Sequence, residues 1–214
     1  MMSYRFLDIA TTSSVRAVRE DMGSAQVWER FEGDRAPDSL TQHETDFIAA
    51  RDHFYMASVS QSGWPYVQHR GGPRGFLTVL DAATLAFADY RGNRQYISVG
   101  NMRANARVAL ILMDYANRTR LKIFATVELL PVDAERDLAG RVLPQDYRAR
   151  TERIVLLHVV AFDWNCPQHI TQRFTEDEII ETMRDVNERL VGLEDENARL
   201  RGQLALARSG MANP

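Results

Sequence analysis

This chain of 214 residues predicts a mainly β fold, an antiparallel barrel with added helices and a long C-terminal coiled-coil helix. Two patterns lead there. Seven short runs rich in Val, Ile, Phe and Tyr recur between residues 54 and 164, parted by turn-like spacers. From Ile179 onward the apolar period changes to alternating steps of four and three, a heptad seam.

The elements follow in order. Residues 1–36 are of mixed polarity, with one short helix around "SSVRAVRED", and read as an arm that packs on the body or on a partner. Residues 37–172 form the barrel domain. It opens at "LTQHETDFIAARD", where Thr41 with Glu44 three positions on spells a capping box before an amphipathic helix. The strands are "FYMASVS" (54–60), "PYVQHR" (65–70), "FLTVL" (76–80), "LAFADY" (85–90), "RVALILMDY" (107–115), "RLKIFATVELL" (120–130) and "RIVLLHVVAFDW" (153–164). Helical interludes fit at about 94–104 and 133–142.

Residues 173–208 are the coiled-coil helix and 209–214 a flexible tail. Met183, Leu190, Asn197 and Leu204 occupy a positions; Ile179, Val186, Leu193, Leu200 and Ala207 occupy d. A lone asparagine at a costs stability, but two of them pair across a parallel dimer and set its register. In that arrangement Arg189 faces Glu194 of the second chain and Glu196 faces Arg201, both of opposite sign. A helix lying on its own barrel would want a wider apolar stripe. The expectation is a parallel homodimer.

Composition narrows the function. The net charge of −3 and pI near 6.0 argue against general nucleic-acid binding. No run of about 18 apolar residues suits a membrane span, and the first residues lack the apolar core of a secretory signal. One cysteine suits a reducing compartment, so a cytoplasmic protein is expected. Lys122 is the single lysine among 26 basic residues, which makes any one arginine weak evidence for phosphate binding.

Several chemistries fall away. "CPQH" (166–169) has a Cys and a His at metal-like spacing, but a structural zinc needs about four ligands. Cys166 reads as a structural cysteine, and no nucleophile elbow, Walker loop or dinucleotide fingerprint is present. Arg118, Arg120 and Lys122 alternate along one strand face, solvated or lining an anionic pocket. Two stretches leave a choice open. "YVQHRGGPRGF" (66–76) breaks strand propensity with glycines between arginines, as either a bulged hairpin or a close approach by a ligand. "DYRGNRQYIS" runs from a strand into a helix start, as either a capped turn or an anion seat.

Taken together, "PYVQHRGGPRGFLTVLD", "LAFADYRGNRQYISVGNM", "ARVALILMDY" and "VVAFDWNCPQHI" stand in the order of the pyridoxamine 5′-phosphate oxidase-like, FMN-binding split-barrel family, which the chain resembles over about residues 40–172. The resemblance implies a six-stranded split barrel, a homodimer, and two FMN molecules bound where the subunits meet. It implies that Val67, Gln68, His69, Arg70 and Gly71 run beside the isoalloxazine and ribityl chain, with Asp89 and Tyr90 at the end of a neighbouring strand. Asn93, Arg94, Gln95 and Ser98 match the phosphate seat, where Arg94 and Ser98 replace the family's Arg-Lys pair; Asn101 follows on the helix. Arg120, Trp164, Asn165 and Gln168 correspond to residues donated by the other subunit.

The resemblance implies an FMN-dependent oxidoreductase, with flavin N5 accepting hydride from a reduced nicotinamide or a small organic donor. A donor from 68–70, or Arg120 of the partner subunit, would stabilise charge near N1–C2=O of the reduced ring. No side chain is expected to act as acid or base, and no metal is expected. The oxidase's substrate-binding arginine and histidine near the C-terminus are replaced by the heptad helix, so vitamin B6 oxidation is not expected. The alternatives are a flavin-binding or sensing module without turnover, or the same fold with deazaflavin or haem, for which His69, His158 and His169 offer axial nitrogens.

Overall fold

The computed structural model describes residues 4–29, 31, 33–134, 136–144, 146–164 and 167–210, the last four by backbone alone. Helices α1 (Tyr4–Ala10), α2 (Ser13–Asp21) and α3 (Ala25–Glu29) precede α4 (Gln42–Ala49). Strands β1 (His53–Val59), β2 (Pro65–Gly71), β3 (Thr78–Asp81) and β4 (Thr84–Tyr90) lead into α5 (Ile97–Ala104). Then come β5 (Arg107–Asp114), β6 (Thr119–Leu130), α6 (Arg136–Val142), β7 (Thr151–Trp164) and α7 (Glu176–Gly210).

The seven strands form one antiparallel sheet in the order β2-β1-β5-β6-β7-β4-β3. All seven runs read from the sequence are strands, one more than the six the resemblance implies. The end strands β2 and β3 do not pair with each other, so the sheet stays open, as in a split barrel. The third run starts late, at Thr78, because Phe76 and Leu77 turn into the core instead of joining the ladder.

Period-two burial builds that core. Phe54 and Met56 of β1, Val108, Leu110 and Leu112 of β5, and Leu121 and Ile123 of β6 all point inward. Phe54 stacks on Phe76 at 5.5 Å and meets Phe87 edge-on at 5.3 Å. Strand β4 departs from alternation because both its faces are covered. Leu85 and Phe87 join the main core, while Ala86 and Ala88 lie with Leu138 and Val142 of α6. Register shifts at Phe124/Ala125 of β6 and Asp89/Tyr90 of β4 add local bends to the sheet.

The arm packs on the body. Phe6 of α1 stacks on Phe124 of β6 with ring centroids 4.2 Å apart, and Lys122 Nζ lies 4.7 Å from the Phe6 ring centre. The helix expected at "SSVRAVRED" is α2, whose Val15 N–H donates to the Thr12 hydroxyl at 3.4 Å. Helices α1 and α3 had no signal strong enough to be expected.

The chain divides into two compact units, residues 1–171 and 172–214. The second is dominated by α7, which starts at Glu176 because Thr175 caps it. Thr175 N–H donates to Glu178 Oε2 at 2.8 Å, and Glu178 N–H returns a bond to the Thr175 hydroxyl at 3.2 Å. That capping box is formed by the consecutive residues "TEDE". Residues 211–214 of the expected tail lie outside the described residues. Among the described residues no helix is long and apolar enough to cross a membrane.

The α4 capping box forms and does more than cap. Glu44 Oε2 accepts from the Thr41 N–H at 2.9 Å and from its hydroxyl, while Glu44 Oε1 accepts from the Trp164 indole at 2.8 Å. Burial by itself would raise the Glu44 carboxyl, but the bonds from the Thr41 side chain, Trp164, the Thr41 backbone and His43 outweigh it, leaving a pKa of about 2 instead of 4.5. A carboxyl depressed by folding stabilises fully above its unfolded pKa. Its contribution is lost as pH falls from about 4.5 to about 2. In Glu44→Gln the single amide oxygen can accept from the Thr41 N–H or from the indole N–H, and the NH2 group must face the other donor. The variant is expected to lose roughly 1–3 kcal/mol at neutral pH and to show a flatter acid limb between pH 4.5 and 2, measured by urea unfolding across that range.

Candidate functional site

The glycine-rich stretch after β2 is shaped by the protein's own atoms. A Cβ on Gly72 would lie 2.7 Å from Cγ of Phe76, so only glycine lets the chain fold back over that ring. Gly75 has φ +79°, a left-handed conformation that favours glycine. Gly72 and Gly75 donate their N–H groups to the carbonyls of Asp52 and Arg51 at 2.9 and 2.8 Å. The break therefore seats the loop on the turn before β1.

Beside it lies a hollow of about 190 Å³. Tyr66, Gln68 and Arg70 line it from one face of β2, Asp89 and Tyr90 from the end of β4, and Glu152 and Arg153 from β7. Gly92 through Val99, the turn and first residues of α5, close it.

Asp89 is the hub, only 4% exposed. Arg70 Nη1 donates to its Oδ1 at 2.7 Å and Arg153 Nη1 to its Oδ2 at 2.5 Å. Arg153 also reaches Glu152 at 3.3 Å, and Tyr96 donates its hydroxyl to Glu152 at 3.0 Å. Gln68 Oε1 accepts from the hydroxyls of Tyr66 at 3.0 Å and Ser98 at 3.2 Å.

The turn into α5 is strained. Arg94 and Tyr96 have φ of 65° and 54°, a region costly for residues with a Cβ. Gln95 between them donates its N–H to Asn93 Oδ1 at 3.0 Å. Tyr96 is the N-cap residue of α5 but makes no side-chain cap bond, so the helix opens toward the hollow without one. Two buried donors lining the hollow, Arg70 Nε and the Tyr90 hydroxyl, have no hydrogen-bond partner among the described residues. Burial, then the neighbouring Tyr147, raise the Tyr90 phenol above its usual pKa.

Of the residues named from the sequence, Gln68, Arg70, Asp89, Tyr90, Asn93, Arg94, Gln95 and Ser98 meet at this hollow. Val67 and His69 alternate to the other face of β2, where the His69 ring stacks on His53 at 5.6 Å; Gly71 ends the strand. Asn101 lies deeper on α5 and donates to the Ser58 hydroxyl at 3.1 Å, tying the helix to β1. Arg120 and Trp164 lie on β6 and β7, the latter bonded to Glu44, and Gln168 sits in an exposed turn. Asn165 and Cys166 lie outside the described residues. His69, His158 and His169 are not among the residues lining the hollow. Arg118 is in a left-handed turn before β6, off the expected strand face, and Lys122 pairs with Asp163 at 2.6 Å.

Sequence reasoning missed Tyr66, Tyr96, Glu152 and Arg153. Tyr66 was within reach, since period two sets it with Gln68 and Arg70. Arg153 was not, because it meets Asp89 through the register of β4 on β7, set far along the chain.

A curled, open antiparallel sheet with an arginine-lined hollow at a helix start defines a split-barrel protein. Residues 40–163, more than half of the chain, match the family model described as pyridoxamine 5′-phosphate oxidase. The chain belongs to that family. Among solved structures it is similar to HupZ of Group A Streptococcus, with 16% identity over 63% of this chain and 99% of that one and a TM-score of 0.48. It is also similar to a general stress protein 26-related protein of Clostridium acetobutylicum, with 13% identity, 64% and 95% covered and a TM-score of 0.44. An FMN-binding protein of Syntrophomonas wolfei gives 12% identity, 72% and 98% covered and a TM-score of 0.44. No curated protein matches the chain.

Removing Asp89 would leave the Arg70 guanidinium, 15% exposed, without its carboxylate, and Arg153, 18% exposed, with Glu152 alone. Asp89→Ala is therefore expected to lose about 3–5 kcal/mol of stability, read as a lower urea midpoint at unchanged slope.

Proposed function

We propose that this protein is an FMN-dependent oxidoreductase that works as a homodimer, its hollow holding the phosphate end of the cofactor. The observation that carries this reading is the convergence, in a chain of this family, of three arginines, an uncapped helix start and two unpartnered buried donors on one concave surface. Three arginines stand against two carboxylates there. Both carboxylates already hold protein donors, so the surplus positive charge is left for an anion.

The residues fit the group in kind. Arg94, exposed and without an ion pair among the described residues, together with the α5 N–H groups, that of Ser98 included, would take the phosphate. Gln68, its Oε1 fixed by two hydroxyls, keeps its Nε2 hydrogens for the polar chain of the ligand. A volume of about 190 Å³ is below the roughly 300–1,000 Å³ of sites that enclose a whole ligand. A second copy would supply the rest of the surface, through Arg120, Trp164, Asn165 and Gln168. When bound, FMN supplies the redox chemistry. The chain's own part is to bind, orient and electrostatically stabilise, with no side chain assigned a proton-transfer role.

The purified protein is expected to show a flavin absorbance spectrum that bleaches on anaerobic addition of NADH, NADPH or a small organic donor. A bound flavin that resists every such donor would instead mark a binding module, and a deazaflavin or haem spectrum would replace the cofactor assignment. Arg94→Ala removes one charge-assisted contact, about 1.5–3 kcal/mol. FMN affinity should fall at least tenfold by fluorescence titration; unchanged affinity means the phosphate binds elsewhere.

A further inference from the structure

The second unit of the chain is a helix with no core of its own. Helix α7 runs for 35 residues, about 50 Å at roughly 1.5 Å per residue. Its seam residues stand open on the single chain: Ile179, Val186, Leu190, Leu193, Leu200 and Leu204 are each 51–55% exposed. Most helical stability in proteins comes from burying an apolar face, so a helix this bare calls for a covering surface.

The pattern around the seam says which surface fits. Outside the first turns, the flanking e and g positions are Asn187, Arg189, Glu194, Glu196, Arg201 and Gln203, all polar. A stripe confined to a and d suits another helix wound around it, whereas docking on a globular body wants a broader apolar face. Asn197 discriminates further. In a parallel, in-register pair it meets the same residue of the second chain, and the two amides satisfy each other. In an antiparallel pair, or against an apolar partner, its amide would be buried without a matching group. The charges agree, since in the parallel register Arg189 meets Glu194 and Glu196 meets Arg201, each pair twice across the two-fold axis.

We infer that the occupant is α7 of a second copy of this chain, forming a parallel, in-register, two-stranded coiled coil locked by an Asn197–Asn197 pair. This deepens the homodimer reading but stands on α7 alone, independently of the cofactor. Leu at a with Ile179 and Val186 at d would by themselves favour assemblies of more than two strands, so the asparagine is what holds the count at two.

The full-length protein tests this by disulfide trapping. Asn197→Cys should form a chain-to-chain disulfide in most molecules under mild oxidation, because a positions face each other across a parallel seam. Gly202→Cys, on the outer f position, should stay near the level of the wild-type chain, whose single cysteine is Cys166. No trapping at 197, or equal trapping at 202, overturns the pairing. Asn197→Leu should raise the number of chains per assembly above two in sedimentation equilibrium; an unchanged count overturns the role of the asparagine. Flavin spectra of these variants report on the hollow separately, so either reading can fail without the other.

Discussion

Asp89 accepts from Arg70 with one oxygen and from Arg153 with the other, and so joins strands that the sheet order holds far apart. β2 is the first strand of the order and β4 the sixth, yet the Arg70 and Asp89 side chains touch at 2.7 Å. Backbone hydrogen bonds leave the barrel split; this buried clasp bridges the split side. Being charged, it needs every member. With Glu152 on Arg153 its charges balance, so the surplus positive charge beside the hollow is that of Arg94, and the Arg70 Nε has no partner among the described residues.

The helix start opposite the clasp shows the same trade between stability and a presented surface. Left-handed conformations at Arg94 and Tyr96 each cost about 1–2 kcal/mol. The turn is held by the Asn93 side chain on one side and by the Tyr96–Glu152 bond on the other. Position 96 is left-handed and not extended, so it does not have the backbone of the usual side-chain cap. The chain leaves that end of the helix without a side-chain cap, and Asn101 anchors its far side to Ser58.

Much of the architecture was legible because its causes are local. Period-two burial in "FYMASVS" and "RVALILMDY" marks strands wherever they are placed. Thr41 and Glu44 cap α4 through atoms three residues apart. The turn at 93–98 carries Asn93, Arg94, Gln95 and Ser98 close together in sequence, which is why this part of the hollow's lining could be named from it. The glycines at 72 and 75 were legible as a break but not in purpose, because Phe76 and the carbonyls of the preceding turn are what they accommodate. Nor could Glu44 be foreseen as more than a cap, since its indole partner lies 120 residues away.

The sequence by itself determined the strands, the helix caps and the heptad seam, since each depends on neighbours within a few positions. Only the tertiary structure decided that Arg153 lines the hollow, that Val67 and His69 turn away from it, and that Trp164 binds Glu44. Those outcomes depend on strand register and on the curl of the sheet, and a shift of one residue in either sends a side chain to the opposite face. No local pattern encodes that choice. It is settled by long-range packing around Phe54, Phe76 and Phe87, and by one carboxylate shared between two arginines.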